Sequence, residues 1–158
     1  KIHRYDTWSM DHTLAKIIVP MLKQLKATKH GAPFVDDEDV PDELKSINAE
    51  PLTQQQKDIG EIDNNHFKRW NYILDEMIWA FEQDALDDGW KHQFYSGKTD
   101  YKFEPINPEE TDEEKRAYTM KKGPKHTFTV DREGLEKHRQ RIENGHRLFG
   151  KYYGSLWD

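Results

Sequence analysis

A carboxylate and an imidazole three residues apart on a helix stand side by side, and Glu143-x-x-His146 has that spacing. Carboxylate-bridged di-iron bundles use such pairs, together with a second Glu-x-x-His and two further glutamates on facing helices. The available complements are Asp63-x-x-His66 and Glu76. Helical spacing puts Glu143 nearly opposite the apolar arc centred on Ile142, so the pair is expected to point outward as polar surface. No metal is expected at His66, Glu143 or His146. His138 differs, because it falls between Leu135 and Ile142 on the apolar arc. Asp11 stands at the edge of the apolar arc of an N-terminal helix. If those helices pack, Asp11 and His138 can meet as an acid–base or metal pair, with His66 as a further ligand. The plainer expectation is a capping aspartate at the positive end of a helix dipole and a core histidine satisfied by hydrogen bonds.

Lys137, Arg141, Arg147 and Lys151 recur as a basic stripe on the opposite side of the same C-terminal segment. Such cations beside aromatics can bind phosphate and stack on bases. The simpler reading is a solvated face, since Glu133 precedes Lys137 and Glu143 precedes Arg147 by four residues, the favourable helix order. A net charge of −6 argues against a general nucleic-acid binder. The acidic run Asp36–Asp39 has oxygens enough for Ca²⁺ but lacks the ligand order and turn glycine of an EF-hand, so a solvated loop is expected. Gly-rich phosphate loops, G-x-G-x-x-G, G-x-S-x-G and His-Glu-x-x-His are absent, which excludes the enzyme classes that depend on them. No cofactor is implied, and the balance leans away from an enzyme.

Three helices must position these residues. Met10, Leu14, Ile17, Ile18, Met21, Leu22 and Leu25 predict one apolar face of a first helix over 9–29. Pro20 lies mid-way; the spacing stays in phase across it, so a bend is expected rather than an end. Phe67, Trp70, Leu74, Met77, Ile78 and Phe81 predict a second helix from Asn64 or Asn65 to Gln83. Tyr72 and Trp79, with Glu76 between them, fall on its other side, the expected docking patch for a partner or a second copy unless the chain's own segment 84–114 folds back over both rings. Leu135, His138, Ile142, Phe149, Tyr152 and Tyr153 line a third helix over 132–153, capped by Asp131, with Gly145 on the inner arc marking a close helix crossing. The segment 117–120 and the segment 126–130 read as a small β-hairpin, and 84–114 as irregular. Pro33, Pro41 and Pro51 punctuate a long acidic loop over 31–64, with one short helical turn expected over 42–46.

Ten acids face two bases between Gly31 and His66, whereas eleven bases face six acids between Glu113 and Lys151. The two stretches can pair within one molecule, pair between molecules, or stay solvated. No cysteine occurs, which removes disulfides and thiolate metal sites and fits a reducing compartment. The longest apolar run, 17–22, is far short of a membrane span, and no signal-peptide pattern opens the chain. Nineteen aromatics (5 Trp, 7 Tyr, 7 Phe) supply a core despite 34% charged residues.

Residues 6–26, the run from Trp70 through Phe81, and the tail 147–158 together resemble small uncharacterised proteins of tailed bacteriophages, particularly marine ones. The resemblance implies a viral product in a bacterial host cytoplasm or on the virion; it brings no activity, cofactor or catalytic residue. The expectation is a single mainly α domain with three long amphipathic helices, a small β-hairpin and a long acidic loop. Its expected role is that of a non-catalytic accessory or structural protein that self-associates or contacts a phage or host protein, away from membranes. The alternatives are a nucleic-acid-associated protein using the basic stripe and a metal-dependent hydrolase.

Overall fold

Apolar residues at three- and four-residue intervals fold as α1 (Met10–Thr28), the short α2 (Gln54–Asp58), α3 (His66–Ala85) and α4 (Arg132–Lys151). The computed structural model describes residues 2–109, 111–112 and 116–157, over which the chain is mainly α-helical. Helix α1 runs without a break through Pro20, although that residue offers no N–H to the Lys16 carbonyl. None of the helices among the described residues is long and apolar enough to cross a membrane.

The long connection holds the short helical turn expected over 42–46, as a 3-10 turn at Asp42–Leu44, and adds two more at Asp37–Asp39 and Ser46–Asn48, followed by α2. A capping box starts α2: Gln56 N–H donates to Thr53 Oγ1 (3.3 Å), and Thr53 N–H donates to Gln56 Oε1 (2.8 Å). Arg69 anchors this stretch to α3. Its buried guanidinium donates to the Leu44 carbonyl (3.1 Å) and to the Asp63 carboxylate (2.6 Å).

The chain divides into two compact units, Lys1–Trp90 with Lys137–Asp158, and Lys91–Glu136. The first is built on α3, whose Trp70, Ile73, Leu74 and Met77 are fully buried. Leu22 of α1 and Leu148 of α4 complete the core with Tyr152. Helix α4 crosses α3 at Gly145, where a Cβ would stand 2.3 Å from Ala80 Cβ and 2.7 Å from the Glu76 carbonyl oxygen. The close crossing expected at this glycine is therefore present. Helix α1, however, is rolled relative to its expected face. It buries Ala15 and Leu22 and leaves Met10, Leu14, Ile17 and Met21 exposed. Small Ala15 permits that roll, Ile18 and Leu25 pack against the core, and ion pairs from Lys23 to Glu82 and from Lys26 to Asp75, both 2.5 Å, bridge α1 to α3 at the surface.

The second unit is an antiparallel ribbon, and its pairing corrects the expected hairpin. Strand β1 (Tyr95–Ser96) pairs with β4 (Thr129–Val130), and β2 (Tyr101–Pro105) pairs with β3 (Tyr118–Lys122). The segments read as partners thus pair with residues from the stretch read as irregular. Between the two ladders Asp100 organises the backbone, accepting the Lys125 N–H at 2.9 Å and packing against Gly123. Gly97 supplies the left-handed turn (φ 82°) after β1. Phe103 opposite Met120, and Glu104 bridged to Lys121 at 2.5 Å, tie β2 to β3.

Candidate functional site

Two polar groupings and an apolar groove stand out in the first unit. The first lies between α3 and α4. Arg141 makes a two-pronged contact with Glu76, Nη2 to Oε1 at 2.7 Å and Nε to Oε2 at 3.0 Å, and its guanidinium lies 3.9 Å over the Trp79 ring. The hydrogen bonds to Glu76 hold the Arg141 pKa above its ordinary value. His138 sits between two indoles, edge to face with Trp79 at 4.8 Å and stacked on Trp90 at 4.8 Å, with Nε2 3.2 Å from Gln83 Oε1. Burial first, and the nearby Arg141 charge second, hold its pKa below the ordinary histidine value. The patch expected to face outward is therefore corrected. Glu76 is buried, Tyr72 and Trp79 are half-buried, and α4 covers Glu76 and Trp79 from within the chain. Burial pushes the Tyr72 hydroxyl pKa up.

The second grouping fixes the end of α4. Asp39, whose side chain is 1% exposed, accepts from Tyr152 Oη (2.7 Å), Arg147 Nη2 (2.6 Å) and Lys151 Nζ (2.6 Å). Lys151 also reaches Asp36 (2.7 Å) and Glu38 (3.0 Å), and the Asp36 N–H donates to Tyr152 Oη at 3.1 Å. Burial works to raise the Asp39 pKa, but hydrogen bonds from Lys151, Tyr152 and Arg147 outweigh it and hold the carboxyl below its usual range. Hydrogen bonds to Asp36, Asp39 and Glu38 push Lys151 up. Burial and the bond to Asp39 push Tyr152 up to about 12. The acidic and basic stretches thus pair within one molecule, and the acidic run expected to be solvated is docked. Among the described residues, Asp36, Glu38 and Asp39 are the one group of three side chains close enough to share a metal ion, and the Lys151 ammonium supplies the positive charge between them.

The remaining candidates are dispersed. Asp11 is exposed in the first turn of α1, and its neighbour His12 meets the Asp84 carbonyl oxygen through Nδ1 at 3.0 Å. His66 is a core histidine: its Nε2 meets the Ala32 carbonyl at 3.0 Å, and Phe34 and Phe67 pack edge-on to the ring. Glu143 pairs with Arg139, while His146 Nε2 lies 2.6 Å from Asp84 Oδ2. The side-by-side pair read at Glu143 and His146 is thus drawn to two different partners. Arg141, Arg147 and Lys151 of the basic stripe stay exposed, as a solvated face requires, but their partners are carboxylates of other elements rather than the helical neighbours expected. Lys137 also has interaction partners.

The third grouping is an apolar groove of about 880 Å³ between α1 and the tail after α4, lined chiefly by Met21, Leu25, Phe149, Tyr153, Leu156 and Trp157. The clamp on Asp39 produces it. With Tyr152 turned into the core, the following 3-10 turn Tyr153–Ser155 leaves Tyr153 and Trp157 68% and 73% exposed. The sequence placed Tyr152 and Tyr153 together on the inner arc; the helix ends at Lys151, so the two rings part.

Compared with protein-family models, curated proteins and solved structures, the chain matches none. The geometry alone must carry the functional reading. Sequence reasoning passed over Trp90 and Arg69 and read Asp39 only as part of a solvated acidic run. Only Asp39 left a signal, in the opposed charge of its stretch and of α4.

Proposed function

We propose that this chain is a non-catalytic accessory or structural protein that works through protein–protein contact. The observation that carries this reading is the apolar surface of α1 and the tail. Met10, Leu14, Ile17 and Met21 stand exposed along one side of α1, and Met21 continues into the groove with Tyr153 and Trp157. Monomeric proteins rarely leave contiguous apolar surface beyond about 300–600 Å² without a partner. The polar residues that could do chemistry are spent on one another: Glu76 with Arg141, Asp39 with Arg147 and Lys151, Asp84 with His146. That favours a contact role over phosphate binding or hydrolysis. The phage setting, with a host cytoplasmic or virion location, rests on the resemblance of 6–26, 70–81 and 147–158.

Cross-linking and affinity capture with the wild type and with a folded Met21→Lys/Trp157→Ala variant test the contact reading. Copies or partners held by the wild type and lost by the variant are expected. Equal recovery from both would overturn the assignment of the contact to this surface.

A further inference from the structure

The exposed stripe on α1 reads the same in both directions. Its members are Met10, Leu14, Ile17 and Met21, spaced four, three and four residues apart: methionine, branched aliphatic, branched aliphatic, methionine. Alternating four and three is the spacing of a coiled-coil seam. At about 100° per residue, the other positions of α1 within roughly 60° of the stripe's midline are Gln24, Leu25 and Thr28, so no charge lies on it. Lys23 and Lys26 are turned toward α3, where they pair with Glu82 and Asp75.

We propose that a second copy of this chain covers the stripe, α1 packing antiparallel on α1 about a two-fold axis between Leu14 and Ile17. A two-fold contact is self-complementary: residue i meets j, and j meets i. The palindrome provides this, with Met10 opposite Met21 and Leu14 opposite Ile17. The same axis brings the N-terminal end of one α1 to the groove end of the other. Trp8, 84% exposed just before α1, is then the anchor for the partner's groove beside Met21, Tyr153 and Trp157. The area suits this occupant. Trp8, the four stripe residues, Tyr153 and Trp157 are between 41% and 84% exposed. Counting roughly 150–250 Å² for each aromatic and a smaller area for each aliphatic side chain, they offer on the order of 800 Å². A standard stable interface takes about 800 Å² from each partner.

This inference rests on the protein–protein reading and is tested apart from it. Sedimentation of the full chain is expected to show a dimer at about 10 μM. Ile17→Lys places a charge at the centre and should give a monomer with unchanged helicity by circular dichroism; should it fail to fold, Met21→Lys serves the same purpose. Trp8→Ala should weaken dimerisation by roughly 30-fold, as for a buried aromatic anchor. The chain has no cysteine, so single cysteines report the direction. Met10→Cys copies mixed with Met21→Cys copies should form a disulfide under oxidant. Met10→Cys alone should not, because the two thiols would stand about 16 Å apart along the axis. A wild-type monomer, a dimer indifferent to Ile17→Lys, or self-linking of Met10→Cys would each overturn the proposal. A monomeric wild type that still loses another protein partner through Met21→Lys/Trp157→Ala would overturn this inference alone and leave the contact reading standing.

Discussion

At Gly145 two opposing effects can be compared. Alanine would gain roughly 1 kcal/mol of helix propensity. Its Cβ, however, would stand 2.3 Å from Ala80 Cβ and 2.7 Å from a backbone oxygen that cannot move without α3. Overpacking of this kind typically costs about 1–3 kcal/mol. Gly145→Ala is therefore expected to lower the thermal midpoint, and adding Ala80→Gly to recover only part of the loss, because the Glu76 carbonyl remains. Arg141 supports a second prediction. Lysine keeps the charge but loses the two-pronged fit to Glu76 and the flat stack on Trp79. Arg141→Lys should cost about 1–2 kcal/mol in a denaturant titration, and Trp79 fluorescence should change with it. A variant as stable as the wild type would show that the stack contributes little.

The end of α4 behaves as one titrating element. Asp39 is held below its ordinary value of 3.8, so its contribution to stability is present above that value and is lost as pH falls through the depressed one. Tyr152, raised from 10.0 to about 12, and Lys151, also raised, contribute below their ordinary values and lose that contribution as pH rises through the raised ones. The clamp is thus complete between about pH 4 and pH 10 and loosens on either side. Denaturation midpoints across pH should show this plateau. Asp39→Asn should lower it by about 1–3 kcal/mol, as expected when a buried acceptor of charged donors is replaced, and should flatten the acid limb. An unchanged acid limb would locate the acid sensitivity elsewhere. Because the clamp ends α4 at Lys151 and divides Tyr152 from Tyr153, the same variant should also weaken anything that binds the groove.

Across the whole molecule, the apolar core is concentrated in one unit. Trp70, Ile73, Leu74 and Met77 are sealed from solvent, whereas every residue of β2 and β3 is exposed. Amides with little buried apolar surface above them open locally at low cost. Hydrogen exchange should therefore be slowest over residues 70–80 and fast over 101–105 and 118–122. Equal protection of the two would show that the ribbon shares the core's cooperativity. In a dimer paired through α1, residues 10–21 should gain protection with concentration, and Ile17→Lys should remove that gain.

Periodicity by itself determined three helices within a few residues of their ends, because apolar side chains at helical spacing have few other ways to leave water together. It also determined the close crossing at Gly145, since only glycine leaves a helix that bare, and it left Asp131 as the cap of α4. The opposed charges of 31–66 and 113–151 were legible as a pair, but not whether one molecule joins them. Which arc of α1 turns inward was decided only in the fold, where Ala15 and Leu22 are buried and Ile18 and Leu25 pack against the core. A wide apolar face tells that burial occurs without telling what does the burying. The strands show the same limit: alternation marks Tyr118–Lys122 and Thr129–Val130, whereas the choice of partner depends on long-range pairing with Tyr101–Pro105 and Tyr95–Ser96. The outward patch read at Tyr72, Glu76 and Trp79 gave way for that reason. One helix shows two apolar or aromatic sides in sequence, and only the arrival of α4 determines which of them remains in water.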